Sequence, residues 1–180
     1  DPLWSRGLGD VYKRQGLMIA PGDDPDRDIK TLEFNCRMGD PETQPIMMRV
    51  KSDLLDVLEH AVDGTLDRAD ITWDRRTALG VVLASHNYPN TPRTGDVIRG
   101  LPADADDCMV FHAATELDGE DTKTTGGRVL CVTALGDSVK MARDRVYEAI
   151  DGIHFDGRQY RSDIGWRALK PSQQKPKSNA

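Results

Sequence analysis

The chain has 180 residues, of which 38% are hydrophobic and 30% are charged, and its 24 Lys and Arg against 30 Asp and Glu give a net charge of −6. This length allows one domain or two small ones. The negative charge argues against a nonspecific nucleic-acid binder, and no run approaches the roughly 18 consecutive apolar residues of a membrane-spanning helix, so we expect neither a nucleic-acid nor a membrane partner.

The two ends of the chain contain little that could be buried. Residues 1–15 (DPLWSRGLGDVYKRQ) follow no clear helix or strand period, and we expect a leader outside the fold, either disordered or a non-native junction. Residues 170–180 are rich in Pro, Ser, Gln and Lys, which predicts a disordered, solvated tail.

The first structured segment is a predicted hairpin. Residues 16–20 (GLMIA) form a short apolar run that ends in a dense turn cluster, and residues 29–36 then alternate between apolar and polar. Period-2 geometry places Thr31, Glu33 and Asn35 on one side of this second strand. The pattern predicts a hairpin with one apolar face and one polar face.

A long amphipathic helix is predicted after the hairpin. Asp40 is a favoured N-cap residue and Pro41 suits the first helical position. Apolar residues recur at helical spacing from Ile46 to Val62, and Gly64 stands where a helix usually ends. The pattern favours one continuous helix.

The second half of the chain has the pattern of a small β-rich domain. A charged connector, residues 67–76, separates it from the first part, and strands are predicted over residues 78–84, 96–99, 108–116 and 128–135. The last two are expected to pair across a polar loop, residues 117–127. Ser138 is the predicted N-cap of one further helix.

The most informative polar residues lie between Thr31 and Arg49. Glu33 and Asn35 present a carboxylate and an amide oxygen side by side, which are donors that suit Mg²⁺. Arg37 adds a guanidinium that matches phosphate or carboxylate, and the N–H groups of Glu42 and Thr43 at the predicted helix start favour an anion. A solvated strand face and an ordinary helix cap explain the same residues, and spacing leaves both interpretations open.

The amino-acid sequence of this segment, compared with known families, supports the interpretation as a Mg²⁺ and phosphate site. The segments GLMI (residues 16–19) and EFNCRMGDPETQP (residues 33–45) resemble the phosphoribosylamine–glycine ligases, also called glycinamide ribonucleotide synthetases, which are ATP-grasp enzymes of purine biosynthesis. Further segments match the family in order: KSDLLD, WDRR, ALGVVLAS, GDVI, GLP, FHA, GGRVLCVTALG and DIGWRA. Met38 stands where Phe is common, and residues 85–90 (SHNYPN) depart from the usual AGGYPG. The resemblance covers about residues 16–169.

The resemblance implies a reaction and a site. The family joins glycine to 5-phosphoribosylamine with ATP, through a glycyl phosphate, and releases ADP and phosphate. Glu33 and Asn35 match its Mg²⁺ (or Mn²⁺) ligands. Arg37 is implied as the catalytic residue that stabilises the transferred phosphoryl group, and Asp40 and Glu42 as weaker candidates for binding the substrate amine; for these two residues a helix-capping role is equally open.

The resemblance also implies the architecture. It predicts an α+β fold in which residues 16–70 form the C-terminal part of an ATP-grasp domain, made of the hairpin and the long helix. Residues 71–169 would form a small mixed β-sheet domain with one helix. The family's N-terminal part has no counterpart here, so we expect a fragment that is inactive alone. We also expect a monomer. Three widely spaced cysteines without a CxxC pair and the lack of a secretory segment favour the cytoplasm. The alternatives are another ATP-grasp carboxylate–amine ligase and a non-catalytic binding or assembly module.

Overall fold

A computed structural model describes residues 14–19, 29–35 and 37–169 of the protein. They belong to two compact units, one that ends at Thr43 and one that begins at Gln44. The predicted tail and the leader up to residue 13 lie outside the described residues. The boundary near residue 70, which the sequence indicates between the ATP-grasp part and the small C-terminal domain, stays a prediction.

The first unit contains the predicted hairpin. Strand β1 (Arg14–Ile19) pairs with β2 (Ile29–Asn35) in antiparallel fashion. The hairpin is therefore confirmed, but β1 begins two residues early, because Arg14 and Gln15 pair within the sheet although we assigned them to the leader.

The register of this hairpin contains one irregularity. Gly16 lies opposite Glu33, whereas the next residue, Leu17, lies opposite Thr31. The β2 strand therefore has one extra residue at Leu32, as in a β-bulge. A bulge locally disturbs the alternation on which the sequence analysis relied.

The prediction of one continuous helix up to Gly64 is wrong, because this segment forms two helices. Helix α1 (Thr43–Met47) is only five residues long, and α2 (Leu54–Val62) begins seven positions after it ends. Between them the backbone pairs with the later connector: Lys51 N–H donates to the Thr72 carbonyl at 2.9 Å. This pairing uses backbone groups that a continuous helix would need.

Both ends of α2 follow from local sequence. The Asp53 side chain accepts a hydrogen bond from the Leu55 N–H at 2.8 Å and so caps the helix. At the other end Gly64 has a φ of 69°, and the Thr65 N–H donates to the His60 carbonyl at 2.8 Å. This is the Schellman arrangement, so the predicted stop at Gly64 is confirmed.

The second unit also contains two three-stranded antiparallel sheets rather than one mixed sheet. The strands are β3 (Thr77–Ala84), β4 (Val97–Ile98), β5 (Cys108–His112), β6 (Thr115–Asp118), β7 (Asp121–Thr124) and β8 (Arg128–Gly136). The first sheet has the order β3–β8–β5 and the second β4–β7–β6. The predicted pairing of residues 108–116 with residues 128–135 is confirmed only for β5.

The strand predicted over residues 108–116 divides between the two sheets. The chain turns at Ala113, whose carbonyl accepts from the Thr115 N–H at 3.0 Å. Residues beyond the turn form β6, which pairs with β7 inside the segment that we expected to be a polar loop. A local pattern cannot detect this, because the change of sheet depends on the distant partner of each strand.

The core lies between the first sheet and helix α3 (Val139–Gly152). Every residue of β8 after Arg128 is buried, and Ala142, Val146 and Ile150 of α3 are completely buried. The predicted cap is confirmed, since the Ser138 hydroxyl accepts from the Met141 N–H. A short helix α4 (Trp166–Leu169) adds to the one helix expected here.

The α+β class is thus confirmed, with small antiparallel sheets and few helices. In the part of the chain that the structure describes, no helix has the length and apolar character needed to span a membrane.

Candidate functional site

Glu33 and Asn35, the predicted metal ligands, both lie on β2 with one residue between them. Glu33 is opposite Gly16 and Asn35 is opposite Arg14 in the β1 strand. The backbone therefore keeps the two residues on one strand and close to its C-terminal end. That their oxygen atoms share one metal ion stays a prediction.

The next predicted residues follow β2 in a loop. Arg37 is exposed, and its Nη1 donates to the carbonyl of Met38 at 3.0 Å. Asp40 is half-buried and Glu42 is exposed. The structure thus brings Arg37, Asp40 and Glu42 into one short loop immediately after the predicted metal ligands in sequence.

A threonine closes this loop. The Thr43 backbone N–H and the Thr43 hydroxyl both donate to the Gly39 carbonyl, at 2.9 and 2.5 Å. Gly39 itself is buried. These bonds tie the two ends of residues 39–43 together, which limits the positions that Asp40 and Glu42 can take.

The predicted helix start at Asp40 and Pro41 is wrong. Helix α1 begins at Thr43, so Asp40 and Pro41 precede it within a turn. The Thr43 N–H, which we expected to be available to an anion, is already bonded to Gly39. A helix of five residues also has only a small dipole, and the anion site at its N-terminus is therefore withdrawn.

The donor set of the β2 strand suits a hard divalent ion. One carboxylate and one amide oxygen match the preference of Mg²⁺ for few protein ligands, with substrate phosphates and water as the others. Among the side chains that the structure describes, no group of three or more His, Cys, Asp or Glu could hold a metal ion. A Glu–Asn pair that shares its ion with a nucleotide needs no such group.

A second polar cluster was missed by the sequence analysis. Asp74, only 5% exposed, lies between two basic side chains. The Arg76 guanidinium donates to both oxygens of Asp74, with Nη2 to Oδ2 at 2.7 Å and Nε to Oδ1 at 3.1 Å. The Lys51 ammonium is 3.6 Å from Oδ2. The string WDRR contained the signal, but the burial of its acid could not be read from neighbours in sequence.

Arg76 fixes the ionisation of this carboxylate. Hydrogen bonds from the Arg76 side chain and backbone N–H hold the pKa of Asp74 far below its usual range, and Lys51 adds to the effect. In return the pKa of Arg76 is raised, mainly by its hydrogen bond to Asp74. Asp74 is therefore a structural anion rather than an acid–base group.

Comparison with known proteins identifies the family of the chain. Residues 78–167 match the family described as the phosphoribosylglycinamide synthetase C domain. The chain is 59% identical over 155 residues to the phosphoribosylamine–glycine ligase of Ralstonia nicotianae and 52% identical over 160 residues to that of Escherichia coli O157:H7. The matches include 86% and 88% of this chain, respectively.

A solved structure gives the same result. The crystal structure of phosphoribosylamine–glycine ligase from Thermotoga maritima superposes with a TM-score of 0.65 at 32% identity, and the match includes 83% of this chain and 35% of that one. The chain spans about a third of the length of its curated relatives, 36% for both ligases named above. With half of its residues in the matched domain and this agreement in sequence and fold, the chain belongs to the phosphoribosylglycinamide synthetase C-domain family.

Proposed function

We propose that the chain forms part of a phosphoribosylamine–glycine ligase. Such an enzyme joins glycine to 5-phosphoribosylamine through a glycyl phosphate and yields glycinamide ribonucleotide, ADP and phosphate. The observation that carries the proposal is the 59% identity over 155 residues to a ligase of that name. Because the match includes only 36% of that relative, we propose that the chain is inactive alone and that further catalytic residues lie outside these 180.

Glu33 and Asn35 are the proposed ligands of Mg²⁺ or Mn²⁺. When bound, the ion would neutralise the phosphates of ATP and align them. The contribution of the chain is to hold Glu33 and Asn35 on one paired strand, whose backbone register fixes where the two residues start. Preorganised ligands lower the entropic cost of binding.

Arg37 is the proposed catalytic residue. A guanidinium is permanently charged and has five N–H donors, of which the bond to Met38 uses one. Placed two residues after the metal-ligand pair, Arg37 would stabilise charge on the transferred phosphoryl group. This role requires no change in the protonation of the side chain.

Asp40 and Glu42 are the proposed binding residues for the amine substrate. Both are carboxylates in the loop that Thr43 closes onto Gly39. A carboxylate can accept hydrogen bonds from an attacking amine and orient it. The proposed substrates are therefore ATP, glycine and 5-phosphoribosylamine, and the proposed state is a cytoplasmic monomer without a nucleic-acid or membrane partner.

The test is a chimeric enzyme. This chain would replace the matching segment of the Ralstonia nicotianae ligase, and formation of glycinamide ribonucleotide from the three substrates would be measured. We expect kcat/KM within about tenfold of the parent enzyme, because 59% of the matched residues are identical. A tenfold loss corresponds to about 1.4 kcal/mol.

Two outcomes would contradict the proposal. A folded chimera that binds ATP but forms no product would favour a non-catalytic module. A chimera that ligates a different acceptor to a different carboxylate would favour another ATP-grasp ligase.

The proposed role of Arg37 can be tested in the same chimera. Arg37→Ala should lower kcat by about a hundredfold or more. The control is Arg68→Ala, at an exposed arginine of the same chain, which should leave kcat unchanged.

A further inference from the structure

A cavity of about 260 Å³ lies in the second unit, beside the buried Asp74. Three arginines line it, namely Arg49, Arg75 and Arg76, together with the indole ring of Trp73. None of the described residues that line the cavity is acidic. Three guanidiniums around one small space are unusual in a chain whose net charge is −6.

Backbone pairing between residues 49–50 and residues 73–74 forms the side of the cavity that Arg49 lines. The Asp74 N–H donates to the Arg49 carbonyl at 2.7 Å, and Val50 forms a β-bridge with Trp73. The Arg49 Nε then donates to the Asp74 carbonyl at 3.1 Å. The short segment that interrupts the predicted long helix therefore fixes the base of the Arg49 side chain beside the connector.

Asp74 fixes the second arginine. Its carboxylate engages Nε and Nη2 of Arg76, so the guanidinium is held in one orientation before any ligand arrives. The bonds to Asp74 leave Nη1 outside the fork. More distant carboxylates, Asp107 and Asp137, also act on Arg76, but Asp107 forms its own ion pair with Arg145 at 3.0 Å.

Arg75 differs from these two arginines. It is exposed, and its guanidinium forms no hydrogen bond or ion pair with the residues that the structure describes. Trp73 beside it is 45% exposed, so the cavity is open to solvent. The bonds to Asp74 therefore orient the guanidiniums of Arg49 and Arg76 and use part of their N–H donors, whereas the described residues leave all the donors of Arg75 available. The carboxylate of Asp74 balances one of the three positive charges.

The chemistry of the arginines selects the ligand. Guanidinium groups match the oxygens of a phosphate monoester, which carries up to two negative charges and several acceptors. A volume of about 260 Å³ has room for a phosphate group and part of an attached sugar. Because the cavity opens to solvent, the rest of such a ligand can extend out of it.

We propose that this cavity binds the phosphate ester of a sugar phosphate, and that Arg49, Arg75 and Arg76 are the residues that bind it. The inference rests on the proposed function in one respect, since 5-phosphoribosylamine is the substrate that carries such a phosphate. Trp73 would then cover one side of the site, and Asp74 is the positioning residue that holds Arg76.

The first experiment uses the 180-residue chain and ribose 5-phosphate as the probe. Trp73 fluorescence is the signal, in a background that carries both Trp4→Phe and Trp166→Phe so that Trp73 is the one remaining tryptophan. We expect saturable binding of ribose 5-phosphate, none of ribose, and an affinity that falls as salt is raised. Arg75→Ala should weaken binding about tenfold, Arg75→Lys less, and the control Arg68→Ala not at all. Binding that is unaltered in Arg75→Ala would overturn the proposal, as would ATP displacing ribose 5-phosphate at equal or lower concentration.

The second experiment uses the chimeric ligase, which does not depend on the folding of the isolated chain. Arg75→Ala should raise the KM for 5-phosphoribosylamine about tenfold or more, with kcat and the KM for ATP nearly unchanged. An active chimera in which the variant leaves that KM unaltered would refute this site alone. A chimera without ligase activity, in contrast, would refute the proposed function, while binding of ribose 5-phosphate could still be measured.

Discussion

At the scale of single residues, the chain has one charge with a structural role and others with proposed functional roles. Asp74 is buried and bonded to Arg76, whereas Arg37 and Arg75 are exposed. The sequence predicted Glu33, Asn35 and Arg37 because they belong to one contiguous string. It could not predict Asp74, since its burial depends on the pairing of residues 49–51 with residues 72–74.

The ionisation of Asp74 gives a pH prediction. Because its pKa in the folded chain is lowered, chiefly by the hydrogen bond from Arg76, the carboxylate stabilises the fold fully above its unfolded pKa of about 3.9. That contribution is lost as the pH falls from there through the lower folded value. We expect the melting temperature to fall steeply below about pH 4.

The matched variants are Asp74→Asn and Asp106→Asn. The first should melt at a lower temperature at pH 7, because Arg76 loses its charged partner, and should show a weaker acid dependence. Asp106 is exposed, so its variant should follow the parent curve. Equal acid dependence of the Asp74→Asn variant and the parent would rule out Asp74 as the source.

At the scale of elements, single periodic segments were predictable and their interruptions were not. Helix α3 with its Ser138 cap, strand β3 and the stop at Gly64 agree with the sequence pattern. The apolar spacing continued across residues 48–53, although Ser52 and Asp53 are both favoured N-cap residues that could have indicated a second helix start. The change of sheet at Ala113 had no comparable local signal.

The cap of α2 can be tested by hydrogen exchange. Asp53→Ala removes the acceptor for the Leu55 N–H and should cost the helix about 1 kcal/mol, which corresponds to roughly fivefold faster exchange of the amides of α2. Asp53→Asn keeps an acceptor at the same position and should exchange nearly as the parent does. If both variants exchange alike, the Asp53 side chain does not determine where this helix begins.

At the scale of the whole molecule, the described residues form a hairpin unit and a larger α+β unit that belongs to the synthetase C-domain family. The class and the family could be inferred from one sequence because the resemblance covers most of the chain in order. The assignment of six strands to two sheets could not, since it depends on contacts between residues far apart in the chain.

The central claim is that Glu33 and Asn35 bind one divalent ion together with the phosphates of ATP. The most direct measurement uses electron paramagnetic resonance to detect Mn²⁺ binding to the chimeric ligase in the presence of ATP. We predict that Glu33→Gln and Asn35→Ala each weaken Mn²⁺ binding about tenfold or more, while Glu116→Gln, an exposed glutamate on β6, leaves it unchanged. Equal Mn²⁺ affinity in all four proteins would contradict the claim.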